Sequence, residues 1–233
     1  MVRALALDID GTLTDGHRKL HLPALAALQR LQARGVPIVF ASGNVLPVML
    51  AMTRFFGLPG PIVAENGGLI LERVEGREVV TRLARISLAR RALARLRAEH
   101  VPLRPLFTNR WRETEIALEA KFPVDRARRL LRGMGVDVVP TGFAVHLIES
   151  GCGKLPALRR VLAGVRLTPA DCLIAGDGDN DIEMLEAAGF AVSFATGSRR
   201  ARAAADYVAP AAYAFGFVEA LKRVRVLAPS RTG

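Results

Sequence analysis

Three short apolar runs show no alternation with polar residues, and each stops abruptly at a small or acidic turn. Arg3 to Ile9 is predicted as a strand running into Asp8-Ile9-Asp10-Gly11-Thr12, and Val36 to Ala41 as a strand closed by Ser42-Gly43-Asn44. Asp171 to Ala175 is a third, entering Gly176-Asp177-Gly178-Asp179-Asn180-Asp181. A strand that is apolar on both sides has to be covered on both faces, which is the condition of a parallel sheet flanked by helices. The sequence between them supplies the helices. One carries Pro23 near its first turn, Leu22, Leu25, Leu28 and Leu31 along one side, and Gly35 just past its end. A second runs from Val45 to Phe56, with Pro47 in its first turn. Pro61 to Ala64 reads as another strand, and Asn66-Gly67-Gly68 turns the chain into Leu69-Ile70-Leu71.

The last third resumes this style. A helix is expected over Leu155 to Ala163, another through Met184 and Ala188, a strand over Ala191 to Phe194, and a final helix near Phe217 to Val224. The tail from Ala228 to Gly233 is expected to be loose. The middle differs. It reads as a strand (Val79 to Leu83), a helix (Ser87 to His100), a segment around Leu106 to Asn109 and a strand (Thr114 to Leu118). A helix (Asp125 to Gly133) and two strands (Val136 to Val139, Ala144 to Ile148) follow. That order suggests a small α+β unit with an antiparallel sheet, inserted between two halves of one core. The division is then 1–78 for the first half of the core, 79–150 for the insert and 151–233 for the second half.

At 233 residues, 51% of them apolar and 24% charged, the chain can bury a sizeable core and is not of disordered or collagen-like composition. No apolar run approaches the roughly 18 residues of a membrane span. The opening stretch reaches Asp8 too soon for a secretory leader, so a soluble, cytoplasmic protein is expected. The 33 basic and 22 acidic residues give a formal charge of +11. Only Lys19, Lys121, Lys154 and Lys222 are lysines; the arginines are scattered, without the long basic block of a nucleic-acid arm. A positive field would still speed the arrival of a small anionic ester. Two cysteines, Cys152 and Cys172, with four histidines far apart, argue against a disulfide scaffold or structural zinc.

The turns at the strand ends hold the chemistry. Asp8 and Asp10 end the first strand, at the edge where open α/β sheets bind ligands, and two carboxylates so close need a cation or a proton. Asp-Gly is also ordinary turn chemistry. Asp177, Asp179, Asn180 and Asp181 bring three carboxylates and an amide to another strand end, an oxygen-rich set that suits Mg²⁺. It is not an EF-hand, because the twelfth position counted from Asp177 is Ala188. The Ser42 hydroxyl and the amides of Gly43 and Asn44 could hold a phosphate oxygen. Lys154, flanked by Gly153, begins a helix whose N-terminus favours anions. A P-loop would need glycine where Ile148 stands and Ser or Thr where Leu155 stands.

Taken in order, DxDGT, SGN, GxGK and GDxxND resemble the four motifs of the haloacid dehalogenase (HAD) superfamily of phosphohydrolases, with the insert where one class of these enzymes carries an α/β cap. The resemblance implies a Rossmann-like core with a mainly parallel sheet and an α+β cap between the second and third motifs. It further implies Mg²⁺-dependent hydrolysis of a phosphomonoester through an aspartyl-phosphate. Asp8 would be the nucleophile and Asp10 the acid and base. Asp8, Asp10, Asp177 and Asp181 would hold the metal, and Ser42, Gly43, Lys154 and Asn180 the phosphate. Ser42-Gly43-Asn44-Val45-Leu46-Pro47-Val48, Glu65-Asn66-Gly67-Gly68 and Thr108-Asn109-Arg110-Trp111-Arg112-Glu113 look like the archaeal-type phosphoglycolate phosphatases. The implied partner is a small phosphorylated carboxylate or sugar, with no nucleic acid or membrane, and a homodimer is left open. Arg110 and Arg112 are candidates for contacting a substrate carboxylate, against ion pairing with Glu113 or Glu115; Trp111 is expected in the cap core. Competing readings are a sugar-phosphate or broad-range phosphatase, a phosphotransferase or mutase, and a basic anion- or nucleic-acid-binding module.

Overall fold

The computed structural model describes residues 2–224. The first part runs β1 (Ala4–Leu7), α1 (Leu22–Ala33), β2 (Ile38–Ala41), α2 (Leu46–Phe55), β3 (Ile62–Ala64), β4 (Leu69–Val74) and β5 (Arg77–Arg82). The middle runs α3 (Ile86–Ala98), β6 (Ile116–Glu119), α4 (Val124–Leu130), β7 (Val136–Pro140) and β8 (Ala144–Glu149). The remainder is α5 (Lys154–Ala163), β9 (Cys172–Ala175), α6 (Ile182–Glu186) and β10 (Phe190–Phe194). It closes with α7 (Arg199–Ala203), β11 (Tyr207–Ala209) and α8 (Tyr213–Arg223).

Eight strands form one sheet in the order β11-β10-β9-β1-β2-β3-β4-β5. From β11 to β3 the neighbours are parallel, and β4 and β5 add antiparallel strands at one edge. Every residue of β1, β2 and β9 is buried, as unalternating apolar strands require. Leu5, Leu7, Ile38 and Phe40 face α1, α2 and α8 through Leu28, Met49 and Phe217. The opposite face presents Ala4, Ala6, Val39 and Ala41, and its small residues admit Leu158 and Val161 of α5 and Met184 of α6. Leu7 is paired with both Phe40 and Ala175, so the residues that follow these three strands emerge side by side at one edge of the sheet.

The insert is an antiparallel sheet, β6-β8-β7, whose core joins Ala92 and Leu96 of α3 to Ala127 of α4 and to Leu118, Val138 and Leu147. One expectation is corrected here. The strand over Val79 to Leu83 does not belong to this unit: β5 pairs with β4 along its whole length, Leu69 against Arg82 to Val74 against Arg77. A boundary at residue 79 therefore cuts a strand of the large sheet. The two connections are clipped together where they leave that sheet. Glu149 accepts from the Arg85 amide at 2.7 Å and from its guanidinium at 2.6 and 3.1 Å.

Two elements were not anticipated, α7 and β11. Both are short, and β11 is an edge strand with an exposed Val208, so neither leaves an apolar run to read. Helix α8 starts at Tyr213, a turn earlier than expected. Trp111 is 44% exposed in a 3₁₀ turn (Phe107–Trp111) and is not cap core. The expected loose tail lies outside the described residues. No helix among the described residues is long and apolar enough to cross a membrane.

Burial decides which large side chains matter. Phe40 is 1% exposed and Phe55 is 88% exposed. Phe40→Ala should lower the unfolding free energy by about 3–5 kcal/mol. Phe55→Ala should change it by less than about 0.5 kcal/mol. Urea melts of the two variants check the assignment of the core.

Candidate active site

Asp8 leaves β1 with its amide bonded to the Ala175 carbonyl at 3.0 Å, which locks the ends of β1 and β9 together. The next turn needs glycine: Gly11 has φ +77°, and a Cβ there would lie 2.1 Å from Asp177 Oδ2. The first turn and the acidic loop are thereby pressed against each other. Lys154 enters from the first residue of α5. Its Nζ donates to Asp8 Oδ1 and to Asp181 Oδ1, both at 2.7 Å, with the lysine side chain 1% exposed. Asp181 Oδ2 accepts from the Gly178 amide at 3.0 Å, so both of its oxygens are engaged. One oxygen from each of Asp8, Asp177 and Asp181 lies within 4.8 Å of the others.

The charge balance of this cluster is unequal. Burial pushes the Asp8 carboxyl well above its usual range, against the pull of Lys154 and with repulsion from Asp181 and Asp177. Burial and the neighbouring Asp181 push Asp177 up to about 7. Burial would lower Lys154, but Asp181 and Asp8 outweigh it and hold the ammonium charged far into the alkaline range. Three carboxylates face one ammonium, and Asp177 has no basic partner within salt-bridge reach among the described residues. An all-oxygen, net-negative set of this kind fits a hard divalent cation such as Mg²⁺.

The second strand end adds polar groups beside this cluster. Ser42 is buried, and its Oγ accepts from the Asn44 amide at 3.1 Å and from Asn44 Nδ2 at 3.3 Å, leaving its O–H to donate. Asn44 Nδ2 also donates to Asp10 Oδ2 at 2.7 Å. The Asp10 side chain does not join the three-carboxylate cluster; it stands at the cleft, 24% exposed. The cleft between core and insert has a volume of about 670 Å³, with Asp8, Asp10, Ser42, Gly43, Asp177 and Asn180 on its core side.

A buried polar chain leads from the acidic loop into the insert. Asn180 donates to Asn66 Oδ1 at 3.0 Å, and Asn66 donates to Glu115 Oε2 at 3.0 Å. Glu115 Oε1 meets the Arg112 guanidinium and His146 Nδ1, the latter at 2.8 Å. Beside it, the Glu65 carboxylate accepts from the Glu113 amide at 3.1 Å and from the Thr114 amide and hydroxyl at 2.9 and 2.6 Å. Glu65 and Asn66 both hold φ at 51°, a left-handed conformation that costs non-glycine residues energy and recurs at functional sites. Gly68 admits the insert, since a Cβ there would lie 2.0 Å from Thr114 Oγ1.

Of the two arginines singled out in the insert, one stands away from the cleft and the other makes the Glu115 ion pair weighed against carboxylate contact. Arg110 does not line the cleft; its guanidinium lies over the Trp111 ring, 5.2 Å from the centroid. Arg112 does line it, but is buried in an ion pair with Glu115 and donates to the Gly43 carbonyl at 3.0 Å. Sequence reasoning passed over Glu65, Asn66, Glu115 and His146 as site residues, and gave Asn44 a backbone role only. The available signal was Glu65-Asn66-Gly67-Gly68, polar residues directly after a buried strand.

The family model of the haloacid dehalogenase-like hydrolases matches residues 5–110 and 138–221. The chain belongs to that family. A phosphoglycolate phosphatase of Methanothermobacter thermautotrophicus is 39% identical to this hydrolase over 222 residues, covering 95% of this chain and 98% of that one. A crystal structure from Thermoplasma acidophilum superposes on the hydrolase with a TM-score of 0.86 at 26% identity, covering 96% and 98% of the two chains. A HAD subclass IIB sugar phosphatase shares the fold, with a TM-score of 0.76 at 19% identity over 95% and 98% of the chains.

The polar chain makes the stability of this hydrolase depend on acid. Burial pushes Glu115 up, but His146 and Arg112, with hydrogen bonds from His146 and Asn66, outweigh it and hold the carboxyl below its usual 4.5. A carboxyl depressed in the folded state stabilises fully above the unfolded value, and that contribution fades as pH falls through the folded one. Glu115→Gln should cost about 3–5 kcal/mol at pH 7, and the gap to the parent should narrow below pH 4.5. Urea melts across that range test it, and a gap independent of pH refutes it.

Proposed function

We propose that this hydrolase is a Mg²⁺-dependent phosphomonoesterase working through an aspartyl-phosphate on Asp8, with 2-phosphoglycolate as substrate. The observation that carries the reading is the buried Lys154 ammonium held at 2.7 Å from both Asp8 and Asp181, beneath a cleft that collects Asp8, Asp10, Ser42 and Asp177. The archaeal relative named phosphoglycolate phosphatase, matched nearly end to end, supports the choice of ester.

Asp8 attacks phosphorus in line. A bond forms from its carboxylate oxygen to phosphorus as the ester P–O bond breaks, and the departing alkoxide takes a proton from Asp10. Water then attacks the same phosphorus and gives its proton to Asp10. The bond to Asp8 breaks and inorganic phosphate leaves. Lys154 and the Ser42 hydroxyl meet the phosphoryl oxygens, assisted by the Gly43 loop and Asn180, at fixed positions that need no reorganisation during the reaction. The Asp8 carboxylate, the Asp10 carbonyl and Asp177 would hold Mg²⁺, with Asp181 on the ion or its waters. When bound, Mg²⁺ cancels the repulsion between anionic nucleophile and anionic ester.

One observation favours a second reading. A cleft of about 670 Å³ is larger than glycolate requires, and a sugar phosphatase shares the fold, so a sugar-phosphate or broad-range phosphatase is the alternative. The buried carboxylates at the cleft floor work against a polyanion such as nucleic acid there.

A panel of 2-phosphoglycolate and several sugar phosphates, assayed with Mg²⁺ and with EDTA, tests the reading. Turnover should be highest on 2-phosphoglycolate and vanish with EDTA; a sugar phosphate turned over faster selects the alternative. Asp8→Asn should lose at least about a thousandfold in turnover with its circular dichroism unchanged. Normal activity in that variant removes Asp8 from the nucleophile's role.

A further inference from the structure

We propose that Arg18, on a hairpin of the core, is the residue that reads a carboxylate on the leaving group, in place of the cap arginines expected from the sequence. This rests on the phosphomonoesterase reading above. Among the described residues, the arginines that line the cleft are Arg18 and Arg112. Arg112 is neutralised by Glu115 and tied to Gly43, and the nearby His146 is tied to Glu115 and to Thr141 Oγ1. The Arg18 side chain is 59% exposed, and its nearest acidic contact is Asp10 Oδ1, 4.0 Å from Nε.

The position suits the task. Asp10 serves the leaving oxygen, so whatever is attached to that oxygen extends past Asp10, where Arg18 stands. In a phosphorylated hydroxy acid such as phosphoglycolate, the carboxylate is one methylene beyond the ester oxygen. Arg18 stacks on Phe143 of the β7–β8 turn, with Cζ 4.3 Å from the ring centroid. Stacking uses the flat face of a guanidinium and leaves its in-plane N–H fork free, and that fork matches a carboxylate bidentately.

The backbone is also prepared for it. Arg18 holds φ at 60°, and the hairpin imposes this: Asp15 Oδ1 accepts from the His17 and Lys19 amides at 2.9 Å, and the Arg18 amide donates to the Asp15 carbonyl at 2.9 Å. A left-handed conformation in a long-chain residue is maintained only by its surroundings, and here it aims the side chain across the cleft to the cap.

The test compares 2-phosphoglycolate with 2-hydroxyethyl phosphate, an ester of the same length without the second charge. The parent enzyme should prefer phosphoglycolate. Arg18→Gln should lower kcat/KM for phosphoglycolate about 10- to 100-fold, mainly through KM, with less than about a threefold change on hydroxyethyl phosphate. Arg18→Gly, which suits the left-handed backbone, should behave alike and guards against misfolding. Phe143→Leu separates a mere latch from a reader: it should move both esters together and keep the preference. If Arg18→Gln keeps the parent's preference, or depresses both esters equally, the role of Arg18 is overturned while the phosphoglycolate reading stands. A parent enzyme without any preference overturns the phosphoglycolate reading and, with it, the assignment of Arg18.

Discussion

A buried ammonium between two carboxylates sets the terms for this molecule. Moving charges out of water costs several kcal/mol each, and the cost is met only where partners lie at hydrogen-bond distance. Lys154 meets that condition with Asp8 on one side and Asp181 on the other. Those three residues belong to the turn after β1, the start of α5 and the acidic loop after β9, so their convergence requires β1, β9 and α5 to be in register and in contact. The all-apolar strands and the alanine-rich face under α5 provide that contact. Fold and site are therefore one requirement: a slip of β9 against β1 would separate Asp181 from Lys154 and strand charges in the interior.

A network of polar bonds ties the insert to the core. Glu65 and Asn66 accept an unfavourable backbone conformation, and in return Glu65 captures the Glu113–Thr114 backbone while Asn66 links Asn180 to Glu115. The same chain of bonds reaches Arg112 and returns to the Gly43 carbonyl. The acidic loop, the loop after β2 and the underside of the cap thus share one network. A disturbance at Glu115 would reach Gly43 and Asn180 on the core side of the cleft through these bonds.

Much of the core was legible because a residue's place in a parallel strand is written in its own apolar neighbours. Asp8, Ser42, Asp177 and Asp181 follow buried runs directly, and their meeting at one edge follows from the sheet rule alone. What lay beyond reach depended on pairing between distant segments. The strand at Val79–Arg82 looks the same whether it pairs within the insert or with β4, and its exposed valines give no face to choose by. Arg110 and Arg112 carry the same charge and stand two residues apart, yet one stacks on Trp111 in solvent and the other is buried in an ion pair with Glu115. Charge and spacing cannot separate them; burial does. Arg18 escaped notice for the opposite reason, as a single arginine in a short polar hairpin with nothing local to mark it.

The clip between Arg85 and Glu149 has an evolutionary consequence. It holds the two ends of the insert within hydrogen-bonding distance, so to the large sheet the whole of residues 86–148 is equivalent to a short loop. Lengthening a connection between fixed ends adds only about 0.6 kcal/mol of closure cost for each doubling of its length. The scaffold can accordingly accept another module, longer or shorter, at the same doorway without resetting its strands. New substrate preferences can arise by exchange at this junction while the phosphate chemistry beneath is inherited unchanged.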